Sequence, residues 1–297
     1  MRMSAINIRL GGYQPPGSIL SRALRGLAGD IEQRAGGKVR ISLTENVTAS
    51  GTRADTLLAM IEGDDLDICY FSSSYLAARV PSLELFDRPF VFAERSAAYA
   101  ELDGAAGQII RDEVARATGF RVVGFWDNGF RHISNARRPI RSPADCAGLR
   151  IRTVNNATHQ AFFRRLGFEP VFIDIKDMVS AIAAGTVDAQ ENPLTNIVNF
   201  ALQRYHRFVS LTGHIFGVAL LLANRERFNG WPPEIKAAVQ AAATDATAAQ
   251  RLAAAAEDDA CHRRLAAEGV EIIPASGLDR AAFLRTAGWD HAEAKIR

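Results

Sequence analysis

Ile6-Asn7-Ile8-Arg9-Leu10, Val39-Arg40-Ile41-Ser42-Leu43 and Leu66-Asp67-Ile68-Cys69-Tyr70-Phe71 are three short strand-like runs, and what separates them decides the fold. After the first, Gly11-Gly12-Tyr13-Gln14-Pro15-Pro16-Gly17 makes a turn and Ser18 is placed as a helix N-cap. Ile19, Leu20, Ala23, Leu24, Leu27 and Ile31 then recur at helical spacing until Gly36-Gly37 stop the helix. Leu57, Leu58 and Ile61 mark a second helix, ended near Gly63. Strand and helix in alternation predict a mostly parallel sheet with helices on both faces. Ligands of such sheets lie beyond the carboxyl ends of the strands, so residues 11–18, 44–52 and 71–74 are the ones to watch. For any single residue there a plain turn is the simpler account.

The rhythm begins again near Arg121. Val122-Val123-Gly124-Phe125-Trp126 reads as a strand leading into Asp127-Asn128-Gly129-Phe130-Arg131. Leu149 to Thr153 and Val171 to Ile173 are further strands, with helices through Ala157, Phe162, Phe163 and Leu166 and through Met178, Ile182 and Ala183. The second half repeats the architecture of the first without repeating its sequence. Gly217 to Asn224 is another apolar strand, and Val270 to Pro274 a last one. Between them Trp231-Pro232-Pro233 opens an alanine-rich helical region running to about Glu268. Unbroken, it would be roughly 50 Å long, so either a break or a helix crossing both lobes is expected.

The totals exclude several function classes. With 35 basic and 33 acidic residues the net charge is +2, too small for a broad nucleic-acid or anionic-lipid field. No apolar stretch approaches the roughly 20 residues that span a bilayer. The start, Met1-Arg2-Met3-Ser4, has no charged and apolar leader pattern, which leaves a cytoplasmic protein or a removed signal peptide. Cys69, Cys146 and Cys261 fit neither a zinc ribbon nor a CxxC pair, although one bridge between Cys146 and Cys261 stays open. Phosphate-loop, dinucleotide, GxSxG and HExxH motifs are all missing. The six histidines are scattered, and for His132 and His214 a structural hydrogen bond is the simpler reading. No catalytic residue, cofactor or metal is expected.

Two segments are more specific. Asn128-Gly129-Phe130-Arg131-His132 is followed by Pro139, Asp145 and Gly148-Leu149-Arg150-Ile151-Arg152, and later comes Asp188-Ala189-Gln190-Glu191-Asn192-Pro193. Leu85 to Phe92, Asp103-Gly104 with Gly107, Leu211 to His214 and Leu265 to Ile272 add to the pattern. In this order they resemble the DctP-type solute-binding proteins of tripartite ATP-independent periplasmic (TRAP) transporters, over almost the whole chain. The resemblance implies an α/β, two-lobed, periplasmic-binding-protein-like fold with a hinge and a long helix contacting both lobes. It places residues 1–127 and about 218–257 in the first lobe, and 128–217 and about 258–297 in the second.

It also implies a function. The protein would capture a small organic acid in the periplasm, its signal peptide removed, and deliver it as a monomer to the membrane permease subunits, without catalysis or membrane insertion. Arg152 matches the arginine that pairs with the ligand carboxylate, a task suited to its planar fork. Asn192 matches the asparagine that helps to hold that arginine and the ligand, and Arg131 a second basic contact. Tyr13, Gln14, Thr52, Phe71, Ser72, Ser73, Asp127, Asn128 and Ile175 match ligand-facing positions. The family's sialic-acid branch carries a glutamate where this chain has Ser72, which argues against a sialic acid. Small hydroxylated residues suit a sugar acid or hydroxy acid, whereas Tyr13, Phe71 and Trp126 could face an aromatic acid. A binding protein that reports to a receptor, or an enzyme on the same scaffold, are the alternatives.

Overall fold

The structure, a computed structural model, describes residues 5–288. Met1–Ser4, and the last part of the second lobe's expected range, 289–297, lie outside the described residues. The strands are β1 (Ile6–Gly11), β2 (Val39–Thr44), β3 (Ile68–Ser72), β4 (Phe120–Asn135), β5 (Arg150–Thr153), β6 (Glu169–Phe172), β7 (Ala189–Pro193), β8 (Phe208–Asn224) and β9 (Glu271–Ile273). The helices are α1 (Ile19–Ala35), α2 (Thr56–Glu62), α3 (Glu84–Asp87), α4 (Arg95–Asp103), α5 (Ala105–Ala117), α6 (Ala157–Arg165), α7 (Ile175–Ala183), α8 (Leu194–Asn199), α9 (Arg225–Gly230), α10 (Pro233–Ala267) and α11 (Arg280–Ala287).

All the strands join one nine-stranded sheet in the order β2-β1-β3-β8-β4-β7-β5-β6, with β9 beside β8. Parallel β2, β1 and β3 form one lobe, and parallel β7, β5 and β6 the other. The antiparallel pair β4 and β8 lies between them and is shared by both. The parallel strands of each lobe thus end at the same central gap, where such sheets bind ligands.

β4 and β8 are longer than their apolar runs predict. The expected strand at Val122–Trp126 continues through Asp127 to Asn135, and that at Gly217–Asn224 begins at Phe208. The extra residues read as loop because they are polar and contain glycine. They hold in the sheet because register shifts, including one between Asp127 and Gly129, absorb the irregularity. At that shift Gly129 adopts φ +90°, and a Cβ there would lie 2.9 Å from the Pro193 side chain.

α10 has no break. Its 35 residues span about 52 Å at 1.5 Å per residue. It packs on α1 and β4 and, farther along, on α8 and β9. Small alanine side chains let one straight helix lie close against elements of both lobes. Gln250, 2% exposed, fixes it to the register shift: its amide accepts from the Asp127 backbone N–H at 2.8 Å and donates to the Asp127 carbonyl at 2.7 Å. The three cysteines are buried and free, so Cys146 and Cys261 do not pair.

Replacing Gly129 by alanine should strain both the positive φ and the Pro193 contact, at a cost of about 1–3 kcal/mol. Denaturant unfolding of Gly129→Ala beside the parent protein checks this.

Candidate functional site

The turn after β1 is held from below. The Tyr70 hydroxyl accepts from the Gln14 backbone N–H at 3.1 Å and lies 2.9 Å from Ser21 Oγ. Gly12 is required here, because a Cβ would lie 2.6 Å from the Glu45 carbonyl and 2.7 Å from the Tyr70 ring. Tyr13 packs on Phe71 with ring centroids 5.0 Å apart, and Phe71 on Tyr75 at 4.9 Å. Gln14 is 1% exposed, yet neither atom of its side-chain amide has a hydrogen-bond partner. Ser72 and Ser73 are buried at the end of β3.

From the other lobe comes Arg152, on β5 and 1% exposed. Its Nε donates to the Ile173 carbonyl at 2.8 Å, while its buried Nη2 has no hydrogen-bond partner. It forms no ion pair among the described residues. The neighbouring Thr153 hydroxyl is likewise buried without a partner. Ile175 opens α7 and is buried. Tyr75 shows how the two lobes meet. Burial raises the pKa of its phenol, Arg152 and Arg131 pull it down, and Asp174 pushes it up. Tyr75 therefore stands where both arginines and one carboxylate act together.

Arg131 differs from Arg152 because it already has an anion. It forms a buried ion pair with Glu191, with Nε to Oε2 and Nη2 to Oε1 as the contacts, the latter 2.8 Å. Burial alone would raise the Glu191 pKa, but the Arg131 charge and hydrogen bonds from His214 and Arg131 hold it well below the usual carboxylate range. His214 also lies 2.7 Å from Thr212 Oγ1, and His132 Nδ1 accepts from the Gly213 backbone N–H at 3.0 Å. Burial lowers the His132 pKa to about 3, so the ring is neutral at pH 7.

Asn192 bonds to the guanidinium of Arg131. Its oxygen accepts from Arg131 Nη2 at 3.3 Å and from Asn196 at 3.1 Å. Its NH2 donates to Gln190 Oε1 at 2.5 Å. The reason is the β4–β7 register, which sets Arg131 opposite Pro193 and His132 opposite Asn192. Asp127 is also placed differently, because the register shift turns its carboxylate toward α4. There it accepts from Arg95 Nε at 2.8 Å, the Tyr99 hydroxyl at 2.5 Å and the Gly129 N–H at 2.5 Å. Asn128 is buried near Gly217 across the ladder, and Thr52 is half-buried with its hydroxyl 3.1 Å from Ser50 Oγ.

Tyr75, Asp174 and Glu191 escaped assignment from the sequence. Glu191 stood inside a quoted motif, and Asp174 directly before a periodic helix, where it caps α7. Tyr75 carried no signal. Outside the cleft, a groove of about 420 Å³ between α1 and α10 is lined largely by Ile19, Ala23, Leu27, Ala246 and Ala249, and none of the site residues reaches it.

The model of the DctP family, the bacterial extracellular solute-binding proteins of family 7, matches residues 10–295. The chain belongs to that family. The 2,3-diketo-L-gulonate-binding periplasmic protein of Escherichia coli is 29% identical over 85% of this chain and 76% of its own length. A TRAP periplasmic solute-binding protein from a Polaromonas species, bound to D-erythronate, superposes with TM-score 0.88 at 25% identity, covering 95% of this chain and 91% of the other. Another, from Sulfurospirillum deleyianum with bound succinate, gives TM-score 0.88 at 25% identity, covering 96% and 93%. The DctP motifs now have physical roles. Asp188 and Arg150 form one ion pair that locks β7 to the start of β5, with Nε to Oδ2 at 3.1 Å. That pairing leaves Arg152, two residues on, in the cleft. The chain is a TRAP-type solute-binding protein.

Removing the Glu191 carboxylate leaves Arg131 buried and unpaired, and Glu191→Ala should lose about 3–5 kcal/mol of stability at pH 7. The folded pKa is depressed, so this contribution is complete above the ordinary carboxyl value and fades as pH falls below it. The gap between parent and variant should therefore narrow from pH 5 to pH 3, as read by urea unfolding at each pH.

Proposed function

We propose that this protein binds the carboxylate of a small organic acid on Arg152, in the cleft between the lobes, and presents it in the periplasm to the permease subunits of a TRAP transporter. The observation that carries this reading is the state of Arg152 itself. A buried guanidinium with an unpartnered Nη2 and no ion pair is costly unless an anion arrives. A ligand carboxylate supplies two parallel charge-assisted bonds to that fork.

Tyr13, Gln14, Phe71, Ser72, Ser73, Tyr75, Thr153 and Ile175 form the remaining walls in this reading. Arg131, neutralised by Glu191, shapes the cleft and orders Asn192. Asn128 and Thr52 stand at its margin, and Asp127 belongs to the hinge. The lobes divide at the Asp127–Gly129 register shift and opposite it at Gly217–Val218, so that residues 1–127 with 218–257, and 128–217 with 258–297, move as units about β4, β8 and α10. Closure around the acid excludes water and strengthens its pairing with Arg152.

The relatives support capture without chemistry, since they are binding proteins. Here Ser74 and His159 both bond to Asp87 and not to each other, which supports the same reading. The protein acts as a monomer and releases its ligand unchanged. A relative bound to a hydroxylated monocarboxylate and one bound to a dicarboxylate are equally similar to this chain, so similarity leaves the acid open.

The test is a thermal-shift and titration screen against aldonates, uronates, hydroxy acids, dicarboxylates, 2-oxo acids and aromatic acids. At least one acid should raise the melting temperature and bind with a Kd of roughly micromolar or tighter. Arg152→Ala should lose that binding by more than about 100-fold while keeping the fold, and the ligand should be recovered intact. Unchanged affinity in Arg152→Ala would sink the proposal.

A further inference from the structure

A second charge with a free oxygen lies on the same lobe as Arg152, one residue past the Ile173 carbonyl that accepts from Arg152 Nε. Asp174 is 3% exposed. Its Oδ1 caps α7, accepting from the Lys176 N–H at 3.0 Å. Its Oδ2 is buried and has no hydrogen-bond partner. The closest cation is Arg53 of the other lobe, with Nη2 4.0 Å away. Arg53 is already held by Asp55 at 3.0 and 2.6 Å, and it lies over the Phe172 ring at 5.9 Å. The Lys176 ammonium turns instead to Asp177 at 2.9 Å. On its inner side Asp174 acts on the Tyr75 phenol, the same group that Arg152 and Arg131 act on.

The charges then sort themselves. Arg131 is matched by Glu191 and Arg53 by Asp55, which leaves Arg152 to take one carboxylate and Asp174 to take a donor. Gln14 adds an amide that lacks both an acceptor and a donor. We propose that Asp174 is a specificity-determining residue: its free carboxylate oxygen accepts a hydroxyl of the ligand and repels a second carboxylate, so the cleft selects hydroxylated monocarboxylates over dicarboxylates. This rests on the Arg152 reading.

Hydroxyls suit both orphaned groups: a hydroxyl that donates its one proton to Asp174 can still accept from the Gln14 NH2, and a second hydroxyl can donate to the Gln14 oxygen. A second carboxylate offers no proton to Oδ2 and brings a like charge into a desolvated space. An ammonium group could donate to Asp174, but it has no lone pair for the Gln14 NH2. Sites built around a hydrogen bond to a ligand hydroxyl reject analogues lacking it by large factors.

The experiment is calorimetric titration of the parent protein, Asp174→Asn and Arg152→Ala with D-erythronate, D-glucuronate, succinate and L-alanine. Asparagine keeps the N-cap and the side-chain shape while removing the charge, so the fold is retained. The parent should bind at least one of the hydroxylated acids and prefer it over succinate by roughly 100-fold or more. Asp174→Asn should narrow that preference at least tenfold, chiefly by gaining succinate. Succinate binding as tightly as the hydroxylated acids, an unchanged preference in Asp174→Asn, or tightest binding of L-alanine would each overturn the inference while leaving Arg152 in place. No binding of either hydroxylated acid by the parent would overturn the inference as well, whereas binding that survives Arg152→Ala would bring down the reading beneath it.

Discussion

The antiparallel ladder between β4 and β8 is the constraint on which the molecule depends. Both strands pass through both lobes, so one set of backbone hydrogen bonds fixes where the two parallel half-sheets end relative to each other. A continuous ladder would make the molecule one stiff sheet. The register shift between Asp127 and Gly129, opposite Gly217, interrupts it at the centre. The Asp127 carboxylate then closes on Gly129, Arg95 and Tyr99, and Arg95 reaches on to Asp258 of α10 at 2.9 Å. The weak point of the ladder is thus tied by side chains to the one helix that runs beside it.

That arrangement separates two arginines that look alike in the sequence. Arg131 lies on β4, and β7 pairs beside it, so Glu191 arrives as its counter-ion through strand register alone. Arg152 lies on β5, where the nearest partner is a backbone carbonyl. Both side chains are buried, but only one is neutralised inside the protein. The matched pair adds rigidity: Arg131 bonds to Asn192, Asn192 to Gln190, Gln190 to Ser134 Oγ, and Ser134 lies 2.9 Å from His206 Nδ1. Such a connected buried network resists rearrangement. The unmatched arginine is the group free to respond to an anion.

The parallel strands and their helices were legible because each is a short local pattern. Ile6–Leu10, Val39–Leu43 and the strand before Ser72 fall where periodicity puts them. The long strands were half legible: polar residues such as Asp127, Arg131 and His132 look like loop until their partners at Arg95, Glu191 and Gly213 are known, and those partners lie 32, 60 and 81 residues away. Arg152 could be singled out by its motif, but that it lacks an ion pair is a fact about space, not spacing. The same holds for Asp174, whose N-cap role is visible beside its own helix while its free oxygen is not. Asn192 shows the same limit, since nothing in its motif reveals that the Arg131 guanidinium lies beside it.

The contacts across the cleft explain how such a molecule can both hold and release a ligand. Asn156, the N-cap of α6, donates to the Ser74 carbonyl at 3.0 Å and to Asp87 at 2.8 Å, and His159 of the same helix meets Asp87 at 3.0 Å. Arg53 adds the 4.0 Å contact with Asp174. These contacts are polar, so opening exchanges each for water at small net cost, and an apolar contact beside them is the Phe90 ring, 6.0 Å from that of Phe162. A lobe interface sealed by a large apolar patch would stay shut with or without ligand. A ligand shifts the balance of the open and closed arrangements by its differential affinity alone. In the proposed function Arg152 supplies that difference: open, its guanidinium can be hydrated; closed, it needs a carboxylate. On that proposal, the charge left unmatched in the protein couples occupancy of the cleft to its closure.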